Sequence, residues 1–127
     1  MSSPAIVAGD RITGQCPNHL IPGPTGGPQP SPPLPFAAPL TVGTVATVLI
    51  CGKPAAVMGS SGINASPHVG LHPSDPFLAP SVQVGRVTSG SRTVMVGGQP
   101  AATAQSACTC CVAPGTLVPS VATVLIG

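Results

Sequence analysis

One phrase occurs twice in this chain, and that repeat constrains the fold more than any other feature. Residues 47–60 read TVLICGKPAAVMGS, and residues 93–106 read TVMVGGQPAATAQS. A truncated copy, TVLIG, closes the sequence at 123–127, and PAIVAGD at 4–10 matches the second half of the phrase. The chain therefore reads as a repeat opened at its two ends, and a repeat of this kind builds its core by stacking equivalent units.

Each phrase has a direct local reading. Residues 47–50 and 93–96 are apolar and rich in β-branched side chains, which suits strands. Gly52-Lys53-Pro54 and Gly98-Gln99-Pro100 supply turns, because glycine accepts unusual backbone angles and proline fixes φ. Residues 55–58 and 101–104 read as return strands, with alanines small enough for close convergence. No segment holds a helical period, since Pro and Gly interrupt every candidate. The expectation is an all-β fold in a single domain over residues 1–127.

Three longer loops separate the phrases, at roughly 14–43, 59–85 and 105–120. The first carries a proline-rich stretch at about 17–40, expected to run extended and polyproline-like. A flexible linker or a ligand for SH3-type modules is an alternative reading of that stretch. The phrase corners fall at one end of the strands and the loops at the other. The loops hold Cys16 and His19, His68 and His72, and Cys108, Cys110 and Cys111. Only Cys51 lies in a corner.

That distribution matters because the core must be thin. There are 18 Pro and 16 Gly, no Trp or Tyr, and only two Phe, Phe36 and Phe77. A small core without large aromatics usually requires a metal, disulfides or a partner. Tetrahedral zinc uses four Cys or His donors, so a site drawn from three loops would tie them at one point. The spacings C-x-x-H at 16–19, H-x-x-x-H at 68–72 and C-x-C-C at 108–111 do not complete any one zinc-finger signature. Polar loop histidines, a disulfide within 108–111, or an iron–sulfur ligand set are the competing readings.

Other functions have less support. A catalytic zinc needs an open position and a nearby acid or base. The acidic residues are Asp10 and Asp75 alone, with no Glu and no H-E-x-x-H. Asp10 suits a backbone-bonding role in a turn, and Asp75 suits either a turn or the orientation of His72. The net charge is +2, with Arg11, Lys53, Arg86 and Arg92 scattered, so no nucleic-acid partner is expected. No apolar run is long enough to span a membrane, and residues 1–10 do not form a secretory signal. Cytoplasmic assembly is expected, with the cysteines as metal ligands or free thiols.

The motifs GKPAAVMG at 52–59 and GQPAATAQ at 98–105, the opening AGD at 8–10 and the restart at TVLIG resemble the PAAR-repeat family across nearly the whole chain. These proteins cap the trimeric spikes of contractile injection systems, including type VI secretion and phage-tail-like machines. The resemblance implies a short cone with three-fold pseudo-symmetry, a zinc near the apex and a base docked on a β-helical spike. By position it implies His19, His68 and His72 as ligands with a third-loop cysteine. Cys108 is favoured because it follows its strand most closely, with Cys110 next and Cys111 as a further alternative. It further implies a non-enzymatic monomer, one per three spike chains, assembled in the cytoplasm and then exported with the spike. Transient contact with a target membrane and attachment of effector proteins belong to the same implication. With no sequence after Gly127, a plain tip without a fused toxin is expected. The chain departs from the family in having Val57 and Thr103 where an arginine often ends the motif, in the proline-rich insertion, and in three cysteines where one suffices. A proline-rich adaptor and a small zinc hydrolase are the alternatives, the first requiring a mobile loop and the second a vacant zinc position.

Overall fold

The computed structural model describes residues 2–17 and 19–126. Gly127, the last residue of the terminal TVLIG, lies outside the described residues. The fold is all β. Among the described residues fourteen strands follow in order: β1 (Ser3–Pro4), β2 (Arg11–Cys16), β3 (Leu20–Pro22), β4 (Pro28–Pro30), β5 (Leu34–Pro39), β6 (Val45–Ile50), β7 (Lys53–Ala55), β8 (Ser61–Ile63), β9 (Val84–Val87), β10 (Met95–Val96), β11 (Gln99–Pro100), β12 (Cys108–Cys110), β13 (Ala113–Val118) and β14 (Leu125–Ile126). A 3-10 turn, Pro80–Val82, precedes β9.

The repeated phrases meet one another through backbone hydrogen bonds. The Ile6 amide donates to the Ala102 carbonyl at 3.1 Å, Ala102 to Ala56 at 3.0 Å, and Ala56 to Ile6 at 2.9 Å, which closes a cycle. A second cycle runs from Ala8 to Pro54, from Met58 to Pro100 and from Ala104 to Pro4. Each segment then turns on a matching side-chain bond. The amides of Val7, Val57 and Thr103 donate to Asp10 Oδ2, Ser60 Oγ and Ser106 Oγ. Asp10 thus has the backbone-bonding role its turn position suggests. Ala5, Ala55, Ala56, Ala101 and Ala102 are buried at this convergence, where a longer side chain would hold the backbones apart.

A hairpin leads into each of the two internal copies, and the chain ends pair to make the third unit. β6 pairs with β7, β10 with β11, and β1 with β14, all antiparallel. The turn of each hairpin falls one residue earlier than the Gly-x-Pro reading. It is Cys51-Gly52 in one copy (φ 52° and 82°) and Gly97-Gly98 in the other (φ 58° and 83°). Two successive positive φ values make the turn whose twist matches paired strands. The return strands are correspondingly short, and the residues after them form the hydrogen-bonded cycles instead.

From the cycles, β2, β8 and β12 lead away and β5, β9 and β13 come back. These six form one antiparallel sheet in the order β5-β2-β13-β12-β9-β8. The sheet curls until its outer strands meet. Ser61 exchanges bonds with Val42, and the Ala65 amide donates to the Ala37 carbonyl at 2.8 Å. Gly62 permits this closure, because a Cβ there would collide with the Pro39 carbonyl. Inside lie Ile12, Cys16, Phe36, Ala38, Val87, Cys108, Cys110, Ala113 and Leu117, which alternate along their strands as the pleat requires.

Much of the proline-rich segment is paired strand, over Leu20–Pro22, Pro28–Pro30 and Leu34–Pro39, rather than polyproline-like coil. β3 and β4 form a hairpin, and β5 pairs with β2 over six residues. The amide of Ala37 points away from β2 and donates to Asn64 Oδ1. Pro35 and Pro39 have the same parity, so their missing N–H groups face the side where β2 needs no donor.

Candidate metal centre

The ends of the outgoing strands and their following loops gather four donors. Cys16 is the last residue of β2, and His19 precedes β3. His68 lies in the loop after β8, and Cys111 begins the turn between β12 and β13. One ligand atom from each lies within 4.8 Å of the others, and all four residues are buried. Tetrahedral zinc with bonds of about 2.0–2.3 Å places its donors roughly 3.4–3.8 Å apart, so closure needs a contraction of at most about 1.4 Å.

Each donor is held by its surroundings. His19 Nδ1 donates to the Asp75 carboxylate at 3.1 and 3.3 Å, which leaves Nε2 as the donor atom for a cation. Asp75 in turn accepts the amides of Leu20 and Phe77, each at 2.7 Å. Burial alone raises the Asp75 carboxyl, but these two amides and the His19 ring outweigh it and hold it below the ordinary carboxylate range. A carboxylate that fixes a histidine in this way is the usual support behind a metal ligand. Phe77 packs edge-on against the His19 ring at 5.6 Å between centroids.

His68 is held through its backbone. Its amide donates to Gln83 Oε1 at 2.7 Å, and its carbonyl accepts Gln83 Nε2 at 3.2 Å. Gln83 is fully buried and also donates to the Phe77 carbonyl, so one side chain binds together the loop that carries His68 and Phe77. The His68 ring lies 4.6 Å from that of His19. Its Nε2 is buried without a hydrogen-bond partner. An unpaired buried nitrogen costs about 1–3 kcal/mol, and a cation at this point would use its lone pair. Burial and the His19 ring both lower the His68 pKa, so the ring is neutral and able to coordinate.

The thiols are equally suited to a cation. Burial, with the Cys111 thiol adding to it, pushes Cys16 up to about 12. Burial pushes Cys111 up as well. A bound cation reverses this preference by stabilising the thiolates. Cys111 and Val112 both have positive φ (51° and 66°), which is strained for a β-branched residue such as Val112. The strain falls at the turn that presents a donor. No disulfide forms among the described residues; all five cysteines are free.

The donor set differs from the sequence reading at two positions. His19 and His68 are in the cluster, whereas His72 and Cys108 are not. His72 instead joins its loop to the β3–β4 turn, with Nδ1 bonded to Ser74 Oγ at 2.8 Å and Nε2 to the Gly26 carbonyl at 3.2 Å. The Asp75 carboxylate engages His19, not His72, while its amide donates to the His72 carbonyl in a turn. Cys108 lies in the sheet interior, opposite Val87 and Gly115. Cys16 and Cys111 occupy the places given to His72 and Cys108. The C-x-x-H spacing at 16–19 was the signal for Cys16. Cys51 is exposed in the β6–β7 turn, far along the chain from these donors.

The cluster can hold a metal ion. Comparison with protein-family models, with curated proteins and with solved structures finds no match.

Proposed function

We propose that this chain is a PAAR-like tip that sharpens and caps the trimeric β-helical spike of a contractile injection system, with zinc in the Cys16–His19–His68–Cys111 centre. One observation carries the reading. Leu49, Met95 and Leu125 occupy the same position in the three copies of the phrase, and they are 60%, 58% and 56% exposed. Three equivalent apolar side chains, each on a strand pair that joins the hydrogen-bonded cycles, match a partner with three-fold symmetry. A single tip then docks on three spike chains without forming a trimer itself. Beneath these residues a small apolar cluster contains Ala5, Ala55, Ala101, Val96 and Ile126, again drawn from all three copies.

The proposed form is a three-fold pseudo-symmetric cone. The cycles of hydrogen bonds support its base, and the donor cluster at the far ends of β2 and β12 supports a pinned apex. Two thiolates and two imidazoles suit zinc, and four protein donors complete a closed structural site. A structural role without catalysis, assembly in the cytoplasm, transient contact with a target membrane and carriage of effectors belong to the same proposal.

Co-expression with a trimeric β-helical spike protein from the same organism, followed by native mass measurement, tests the reading. One tip per three spike chains is expected. The triple variant Leu49→Asp, Met95→Asp, Leu125→Asp should abolish the complex while retaining its metal. A homotrimer of this chain, or a wild-type tip that ignores the spike, would refute it.

A further inference from the structure

A groove of about 480 Å³ opens on the outside of the sheet, at the seam where β8 closes on the segment after β5. Pro39 and Gly62 meet at its base, in the close approach that leaves no room for a Cβ. Val42, Ile63 and Val84 supply apolar walls, and the 3-10 turn lies against β8 to close one side with Ser81. Ile63 and Val84 are cross-strand partners, as are Ser61 and Arg86 two residues further along the same face. The alternate residues Gly62, Gly85 and Val87 are buried, so strand parity sends Ser61, Ile63, Val84 and Arg86 outward. Val42 and Ile63 are left 62% and 51% exposed.

Arg86 is the only charged residue in this lining. The two acidic side chains of the chain are engaged elsewhere. Asp75 pairs with His19, and Asp10 accepts the amides of Val7 and Ser120. Neither forms an ion pair with Arg86. A guanidinium at the edge of an apolar groove thus lacks a carboxylate from its own chain.

We propose that this groove binds a free aliphatic monocarboxylate, a fatty acid, with its chain along Val42, Ile63 and Val84 and its carboxylate on Arg86. Ligand sites of this size are mostly apolar, with a few polar groups that fix orientation. The planar fork of arginine matches a carboxylate with two parallel N–H donors. One cation answers one negative charge, and no second basic residue is present for a phosphate dianion. The Ser61 hydroxyl, opposite Arg86 in the register, is placed to donate to the same head group. The site lies apart from both the metal donors and the three exposed residues Leu49, Met95 and Leu125. It therefore rests on neither the metal centre nor the spike reading.

The test titrates isotope-labelled full chain with octanoate and, separately, with octanol, and follows the amide resonances. Octanoate should shift Val42, Ile63, Val84 and Arg86 and bind about tenfold more tightly than octanol, the difference one charge-assisted pair makes at a half-open edge. Arg86→Gln should remove that tenfold advantage and leave octanol binding unchanged. Ile63→Ser should weaken both ligands alike. Both residues face outward, and the spectra of the variants report whether the fold is kept. A peptide with an apolar C-terminal residue and a free carboxylate provides the competing occupant. Peptide binding more than tenfold tighter than octanoate would assign the groove to a chain terminus and overturn the fatty-acid proposal. Equal affinity for octanoate and octanol, shifts confined to other parts of the chain, or no shift at all would overturn it as well.

Discussion

Replacing His68 by alanine isolates the metal's contribution to stability. The substitution keeps the backbone bonds to Gln83, since those use only the amide and carbonyl of residue 68. It removes one donor of four. Structural zinc sites contribute about 10–16 kcal/mol of apparent binding energy, or roughly 3 kcal/mol per donor, equivalent to about a hundredfold in affinity. At free zinc near 1,000 times the wild-type Kd, binding stabilises the native state by about 4.1 kcal/mol. At the same zinc concentration the variant sits near ten times its own Kd and retains about 1.4 kcal/mol. The difference of about 2.7 kcal/mol corresponds to a fall in Tm on the order of 10 °C for a chain of this size. In chelator the outcome should differ. Truncation loses packing against His19, yet it also removes a buried nitrogen without a partner, whose cost is about 1–3 kcal/mol. These terms oppose each other, so metal-free wild type and variant should melt within a few degrees. Thermal unfolding at buffered zinc and in chelator reads both numbers. An equal zinc-induced shift in the two proteins would refute His68 as a donor, and no shift in the wild type would refute the centre.

The other predictions follow from the donors, their supports and the sheet closure. Zinc affinity should rise with pH by about two logarithmic units per pH unit near neutrality, because Cys16 and Cys111 are both protonated before binding and release their protons. Calorimetry in buffers of different ionisation enthalpy measures that count, and a slope near zero would exclude thiolate donors. Asp75→Asn should weaken zinc by about 10–100-fold through His19. In metal-free protein the Asp75 carboxyl lies below its ordinary value of 3.8, so its stabilisation is complete above that pH and is lost as pH falls through the depressed value. The Asn variant should therefore show a flatter acid limb in a denaturation series, and an unchanged limb would remove the carboxylate from the account. Gly62→Ala should cost about 1–3 kcal/mol in chemical denaturation, since the new methyl meets the Pro39 carbonyl where the sheet closes.

By itself the sequence determined the unit of construction. The repeated phrase carries its own turn, its converging alanines and its apolar strand, and these are local properties of short segments. The all-β class follows from them, and the sequence also shows the Cys and His residues other than Cys51 gathered between the phrases, away from the corners. His19 and His68 were legible for the same reason. The tertiary structure decided which further donors reach the cluster, because that depends on height along the strands. Cys108 lies three residues below Cys111, which at about 3.3 Å per residue is roughly 10 Å from the level of the turn. Cys16 stands at the top of β2, where its Sγ lies 3.6 Å from the Cys110 carbonyl oxygen, beside that turn. The β12–β13 turn falls at Cys111 and Val112, at positive φ, where no Gly or Asn announces it. β5 is a strand despite its prolines because Pro35 and Pro39 share the parity whose amides face away from β2, a fact of register that composition does not contain. Gln83, which holds the His68 loop, carries no local signal at all; its role exists only once burial has removed water as its partner.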